Sequence, residues 1–82
     1  MPVVSIKALT GVFDADQKAQ IIKGVTDAIV EVEGERMRPL TWVLFEDVPE
    51  GDWGIGGVEL EVRHVRAVQN GSVRLSDAIG IK

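Results

Sequence analysis

The second residue of the chain could perform acid–base chemistry. The sequence opens Met1-Pro2-Val3, and a small residue at position 2, proline included, generally permits removal of the initiator methionine. Removal would leave Pro2 as an N-terminal secondary amine whose ring fixes the direction of its lone pair. An α-amino group has a pKa of about 8, and an apolar pocket lowers that pKa because burial disfavours the charged form. Pro2 is therefore the candidate catalytic residue, able to exchange protons near neutral pH.

Two alternatives stay open for this terminus. Met-Pro begins many proteins that have no chemistry at that end. If Met1 is retained, the Pro2 nitrogen is an amide without a usable lone pair. An intact-mass measurement distinguishes the two forms of the terminus.

Other motifs carry weaker chemical signals. Gly54–Gly57 reads GxGG but lacks the Lys-Ser/Thr of a phosphate loop, and it favours a hairpin with closely packed backbone. His64 has no acid–serine constellation, which predicts a solvated helix residue. Glu46 and Asp47 end a predicted strand, where alternation sends their side chains to opposite faces. No cluster has metal-ligand spacing, and we expect no metal site.

Composition limits the class of protein. The chain has 82 residues, a formal net charge of −4 and no cysteine. It contains no basic run and only 5% aromatic residues, so neither nucleic acid nor a disulfide framework is expected. No stretch is long and apolar enough to span a bilayer, which predicts no membrane association and a cytoplasmic location. A small chain that is 45% hydrophobic often completes its core by self-association.

The first half of the chain predicts a β-α-β unit. Val3–Leu9 is rich in β-branched residues and predicts a strand. Asp14 followed by Gln17 is a capping-box pattern, and apolar residues at helical spacing predict a helix over Ala15–Glu33. That apolar stripe comprises Ile21, Ile22, Val25, Ala28, Ile29 and Val32. Leu40–Glu46 predicts a second strand, parallel to the first through a right-handed crossover.

The second half predicts smaller elements within the same single domain, residues 1–82. The glycine-rich segment forms a hairpin, and residues Glu61–Gln69 form a short extra helix that Asn70-Gly71 ends. Residues 72–82, with Val73, Leu75, Ile79 and Ile81, read as a tail or as a strand bound to a partner. The predicted fold class is α+β, and bare strand edges favour an oligomer.

The order of these pieces resembles the tautomerase superfamily, and in particular the short-chain group of 4-oxalocrotonate tautomerase. The resemblance rests on Met1-Pro2 opening a strand, the turn at Gly11, the Asp-capped helix carrying Gln17-Lys18, and the run Val48–Gly57. It covers about residues 2–58. It implies protomers that assemble as trimers of dimers, or as other trimer-based or dimeric forms. It also implies an N-terminal proline that moves a proton between carbons of an enol acid without a cofactor.

The resemblance assigns the remaining site residues. Trp53 stands where the family places an aromatic residue that makes the pocket apolar. Val12 and Trp42 match the positions of two arginines that bind substrate carboxylates. Arg38 is the first candidate to replace them, and the other candidates are Lys7, Arg36, Arg63, Arg66 and Arg74.

The expected function is keto–enol tautomerisation of small enol or α-keto acids in a hexamer or another trimer-based assembly. One alternative is a proline-dependent hydratase, dehalogenase or decarboxylase. Such an enzyme uses a protonated proline with a carboxylate that activates water, and Glu46 or Asp47 would have to supply it. The other alternative is a catalytically silent oligomeric module.

Overall fold

A strand, a long helix and a second strand make up the first half of the chain. The computed structural model describes residues 1–71 and 73–80. Its elements in chain order are β1 (Val3–Leu9), α1 (Ala15–Glu33), a 3-10 helix (Glu35–Leu40), β2 (Trp42–Val48), β3 (Gly54–Ile55), β4 (Val58–Glu59), α2 (Val62–Gln69) and α3 (Leu75–Ala78). The predicted β-α-β unit, the hairpin and the extra helix are confirmed.

The strands β1 and β2 are paired in a parallel arrangement. The Trp42 N–H donates to the Pro2 carbonyl at 3.1 Å, beside the first residues of both strands. The Thr10 N–H donates to the Val48 carbonyl at 2.8 Å, where both strands end. Because a helix that joins two parallel strands must run back, the last turns of α1 lie beside the start of β1.

Helix α1 begins and ends where its capping residues require. Asp14 Oδ1 accepts from the Gln17 N–H at 2.8 Å, and Gln17 Oε1 accepts from the Asp14 N–H at 2.9 Å. Gly34 ends the helix with φ of 107°, which glycine adopts without a Cβ clash. The predicted apolar stripe is wrong at its C-terminal end, because Val30 is buried whereas Val32 is 89% exposed.

The second strand starts later than the sequence predicts. Residues Glu35–Leu40 form a 3-10 helix, and β2 begins at Trp42 and continues to Val48. The Met37 N–H donates to the Gly34 carbonyl and the Thr41 N–H to the Arg38 carbonyl, which are 3-10 bonds. Leu40, the first residue of the predicted strand, is thus the last residue of the 3-10 helix.

The hairpin and α2 are held by local hydrogen bonds. Gly56 and Gly57 both have positive φ in the two-residue turn that joins β3 to β4. At the start of α2, His64 Nδ1 accepts from the Glu61 N–H at 3.0 Å. His64 is only 5% exposed, so the prediction of a solvated histidine is wrong. Its ring serves the helix start and is shielded from water.

The C-terminal segment is helical where it is described. Leu75–Ala78 forms α3, and the Ile79 N–H donates to the Leu75 carbonyl at 3.1 Å. Ile79 is buried at 8% exposure. The prediction of a tail or a partner-bound strand is therefore wrong for Leu75 to Ile79. Ser72, Ile81 and Lys82 lie outside the described residues.

The chain divides into two compact units. The N-terminal unit comprises Met1–Ala8 and Phe13–Glu46, and it contains an edge-to-face contact of Phe13 with Phe45 at 6.0 Å between ring centroids. The C-terminal unit comprises Leu9–Val12 and the chain from Asp47 onward. Within the described ranges, no helix has both the length and the apolar character of a transmembrane span.

Candidate functional site

A pocket of about 660 Å³ lies in the N-terminal unit and contains the candidate catalytic proline. The last turns of α1 and the first residues of the chain form its walls. The lining residues are Met1, Pro2, Ala28, Ile29, Val32 and Glu33. Except for Glu33 and the chain terminus, these walls are apolar, which is the environment that favours an uncharged amine.

Pro2 is fixed to the second strand through its backbone. Its carbonyl accepts from the Trp42 N–H, so the start of β2 sets the position of the proline ring in the pocket. Met1 lines the same pocket. While Met1 is attached, the Pro2 nitrogen is an amide, and removal of Met1 would place a free secondary amine at this wall.

Glu33 is a pocket residue that the sequence reasoning missed. As the last residue of α1, Glu33 lines the pocket together with Pro2. Thr41 donates its hydroxyl to Glu33 Oε2 at 2.5 Å and also lies 2.9 Å from the Met37 carbonyl. The antiparallel course of the helix could have revealed Glu33, since it brings the helix end to the start of β1.

Glu46 and Asp47, the carboxylates that the sequence suggested, are not among the residues that line the pocket. Glu46 accepts from the Ser5 hydroxyl at 3.3 Å, and both Glu46 and Asp47 are exposed at the end of β2. The carboxylate among the pocket residues is Glu33. Among the described residues, no group of three or more His, Asp or Glu side chains could hold a metal ion.

Trp42 has an exposed side chain and is not among the residues that line the pocket, although its backbone N–H holds Pro2. Its side chain is 49% exposed, and Leu44, two residues further along β2, is also exposed. Residues two apart in a strand share a face of the sheet. Trp42 and Leu44 therefore form an apolar surface on one face of β2.

Arg38 is engaged by carboxylates of its own unit. Its Nη1 donates to Asp27 Oδ1 at 2.9 Å, and its Nε donates to Glu35 Oε1 at 2.7 Å. Hydrogen bonds from Lys23 first, and from Arg38 second, hold the pKa of Asp27 below its ordinary value. The hydrogen bond with Arg38 likewise lowers the pKa of Glu35. With two carboxylates around it, Arg38 is a poor candidate for binding a substrate anion.

Val12 and Trp53 both belong to the C-terminal unit. Val12 is 7% exposed, at the turn after β1. Trp53 is half-buried, and its carbonyl accepts from the Leu60 N–H at 2.8 Å, which closes the hairpin. The structure thus brings Pro2 and Trp42 together in one unit and holds Val12 and Trp53 in the other.

Arg66 occupies the neighbourhood of Val12. Its Nη2 donates to the carbonyls of Gly11 and Val12, each at 3.0 Å, and its Nη1 donates to Gln69 Oε1 at 2.7 Å. A guanidinium from α2 therefore lies against the backbone of the position that the sequence resemblance matches to an arginine. Arg63 is paired instead with Glu61, and that contact lowers the pKa of Glu61.

Comparison with known families and proteins identifies this arrangement. The family described as "Tautomerase enzyme" matches residues 2–63. The probable tautomerase K2 of Dickeya dadantii (strain 3937) is 36% identical over 67 residues, which are 82% of this chain and 98% of that protein.

Solved structures of related proteins share the fold. A 4-oxalocrotonate tautomerase isozyme from Methylibium petroleiphilum superposes with a TM-score of 0.63 at 36% identity, covering 71% of this chain and 90% of that one. DmpI from Helicobacter pylori gives a TM-score of 0.59 at 31% identity, covering 79% and 96% of the two chains. The family match begins at Pro2 and includes the whole β-α-β unit. The chain therefore belongs to the tautomerase family.

Proposed function

We propose that this protein is a keto–enol tautomerase that uses Pro2, exposed by removal of Met1, as its acid–base group. The observation that carries this proposal is the position of Pro2 in an apolar pocket of a tautomerase-family chain. The substrates are small enol or α-keto acids. The proposal needs no cofactor, because proton transfer between oxygen and carbon changes no oxidation state.

The pocket walls support proton transfer by Pro2. Ala28, Ile29 and Val32 give the pocket an apolar wall, which favours the neutral form of the amine. In its neutral form the amine can accept a proton from the substrate, and in its ammonium form it can donate a proton to carbon. The ring holds the nitrogen in one orientation, which reduces the entropy lost in reaching the reactive geometry.

The residues around the site favour substrates with an apolar group and one carboxylate. Trp42 offers a large exposed aromatic surface, whereas Arg38 is neutralised by Asp27 and Glu35. Arg66 is the better candidate cation, since its guanidinium lies at the Val12 position. We propose that Trp53, Val12 and Arg66 join the substrate site through assembly, with one protomer supplying them to another.

Exposed apolar residues of the N-terminal unit support such an assembly. Val3, Trp42 and Leu44 are large apolar residues that are about half exposed on β1 and β2. Exposed apolar patches of this kind mark protein interaction sites. We propose a homo-oligomer built on trimers, most simply a hexamer.

The proposed activity is tested on protein whose loss of Met1 is established by intact mass. We expect this protein to ketonise phenylenolpyruvate faster than buffer, and Pro2→Ala to lower the rate at least about tenfold, because a positioned acid–base group contributes about 10²–10⁴-fold. Equal rates for the two proteins would rule out catalysis by Pro2. Activity in neither protein would favour the silent module, and addition of water to an unsaturated acid would favour the hydratase.

A further inference from the structure

We propose that Glu33 is a second acid–base residue of the Pro2 pocket, positioned by Thr41. Glu33 exchanges a proton with the substrate oxygen while Pro2 exchanges one with the substrate carbon. This inference rests on the proposed function of Pro2, and it assigns a role to a carboxyl group that the single-proline mechanism leaves unused.

Glu33 and Pro2 share a pocket and a supporting segment of the chain. Glu33 lines the same pocket as Pro2, and the other side chains of its lining are apolar. Two consecutive residues hold the two groups: the Thr41 hydroxyl bonds to the Glu33 carboxyl, and the Trp42 N–H bonds to the Pro2 carbonyl. Both acid–base groups are therefore fixed to the same short segment at the start of β2.

The hydrogen bonds of Thr41 are compatible with both protonation states of Glu33. The Thr41 hydroxyl has one proton but lies within hydrogen-bond distance of two acceptors, Glu33 Oε2 at 2.5 Å and the Met37 carbonyl at 2.9 Å. When Glu33 carries a proton, it donates to the Thr41 oxygen, and Thr41 donates to Met37, so every group is satisfied. When Glu33 is ionised, the Thr41 hydroxyl turns to the carboxylate. The site thus supports both protonation states of Glu33 by rotation of one hydroxyl.

The chemistry balances with a single exchangeable proton shared by the pair. In the keto-to-enol direction, the neutral Pro2 amine takes the proton from the α-carbon, the C–H electrons form the C=C bond, and Glu33 gives its proton to the carbonyl oxygen. In the reverse direction, the Glu33 carboxylate takes the enol hydroxyl proton and the Pro2 ammonium protonates carbon. Before and after each turnover, Pro2 and Glu33 together carry one proton. The direction of reaction decides which of the two residues holds it at the end.

This arrangement addresses the charge that develops on the substrate oxygen. In enzyme sites, preorganised hydrogen-bond donors stabilise such a charged oxygen, and removal of one donor lowers the rate about 10²–10³-fold. Arg38 of the adjacent 3-10 helix is bound by Asp27 and Glu35. Glu33 already lies in the pocket, and its carboxyl group can give a proton to the substrate oxygen. In this role it replaces an arginine, which would stabilise that oxygen through its positive charge.

The charged groups around Glu33 come from three elements. The chain terminus enters the same pocket, Glu31 is the neighbouring acid on α1, and the 3-10 helix that packs on α1 carries Glu35, Arg36 and Arg38. Arg38 and Glu35 are paired with each other, and Arg36 is exposed. The terminal amine is therefore the ionisable group that shares the pocket with Glu33.

The test uses four variants of the processed protein: Glu33→Gln, Thr41→Val, Thr41→Ser and the control Glu31→Gln. We expect Glu33→Gln to lower kcat for phenylenolpyruvate ketonisation at least about tenfold, as for loss of a positioned acid–base group. Thr41→Val should lower kcat severalfold, while Thr41→Ser, which keeps the hydroxyl, should restore most of it. Glu31→Gln, an exposed acid on the same helix, should match wild type.

A pH profile separates catalysis from a structural effect. Wild-type kcat/KM should fall at low pH as Glu33 is protonated and at high pH as Pro2 loses its proton, giving a bell. Glu33→Gln should lose the acid limb and keep the alkaline limb. An unchanged acid limb, or a kcat within about twofold of wild type, would overturn the role of Glu33. If Pro2→Ala is severely impaired while Glu33→Gln is not, only this inference fails; if Pro2→Ala is fully active, the proposed function itself fails.

Discussion

The two units of the chain differ in how completely they bury their own apolar residues. In the C-terminal unit, Leu9, Val12, Leu60 and Ile79 are buried together with His64. In the N-terminal unit, the buried apolar residues are Ala8 and Val30, while a larger set of apolar side chains is exposed: Met1, Val3, Val32, Leu40, Trp42 and Leu44. The longer helix thus belongs to the unit with the less complete core.

This difference in burial suggests different roles for the two units. The C-terminal unit satisfies its own groups, since His64 caps α2 and Arg66 binds the turn at Gly11 and Val12. The N-terminal unit keeps apolar surface for other molecules, and the same unit contains the Pro2 pocket. Binding of substrate or of further protomers would cover this exposed surface. The C-terminal unit exposes fewer large apolar residues, namely Val68, Val73 and Leu75 at 39% each.

The largest expected effect is on assembly. Trp42→Glu places a charge on the exposed apolar surface of β2, and burying an unpaired charge in an interface is highly unfavourable. We expect this variant to sediment as a monomer at micromolar concentration. The matched control is Val68→Glu, an exposed apolar residue of α2 in the C-terminal unit, which should assemble like wild type.

Two results would contradict the assignment of the interface to the exposed face of β2. A wild-type protein that is already monomeric would show that the exposed face of β2 does not need a partner. Dissociation by Val68→Glu but not by Trp42→Glu would move the interface to the C-terminal unit.

The second effect is on the core of the C-terminal unit. Leu60→Ala should lower the free energy of unfolding by about 2–5 kcal/mol, since a buried leucine leaves a cavity when it is shortened. Leu40→Ala in the 3-10 helix removes the same atoms from an exposed position and should cost far less. Urea unfolding of both variants at equal protein concentration makes the comparison. Equal losses would show that Leu40 is covered in the assembled protein.

Much of the fold could be predicted because its signals are local. The capping box of Asp14 and Gln17 fixes the start of α1, and the paired glycines fix the hairpin turn. The 3-10 helix was missed because its short turns carry no hydrophobic periodicity, and its contact with α1 is an ion pair of Arg38 with Asp27, eleven residues away. The helical C-terminal segment was missed because burial of Ile79 is a tertiary effect that a short apolar pattern does not specify.

The candidate site was predicted less completely than the fold. Pro2 was proposed from its own chemistry, because a proline behind an initiator methionine becomes a secondary amine when that methionine is removed. Glu33 was overlooked because in sequence it is only the last residue of a helix, and its importance comes from Thr41 and from the return of α1 toward β1. The sequence also could not show that Arg38 is neutralised, since one of its two partners, Asp27, lies eleven residues earlier on α1.

A smaller effect should follow from loss of the Arg66 anchor. Arg66→Met removes the guanidinium that bonds the carbonyls of Gly11 and Val12, while the aliphatic part of the side chain is kept. Because both carbonyls can then bind water, the expected loss of stability is about 1 kcal/mol. Arg63→Met, which breaks an exposed pair with Glu61, should leave stability nearly unchanged. A larger loss in Arg63→Met than in Arg66→Met would contradict this assignment.

The smallest expected effect concerns the ion pairs that hold the 3-10 helix to α1. Lys23 first, and Arg38 second, lower the pKa of Asp27 from its ordinary 3.8, so the stability they provide is fully present above that value. It is lost as pH falls through the lower pKa of the folded state, because protonated Asp27 no longer attracts either cation. Asp27→Asn should therefore lower the melting temperature slightly at pH of about 7, less at high salt, and progressively less as pH falls below 3.8. Glu31→Gln is the control, and a difference between Asp27→Asn and wild type that survives at the lowest pH would show that the amide disturbs packing, with no contribution from charge.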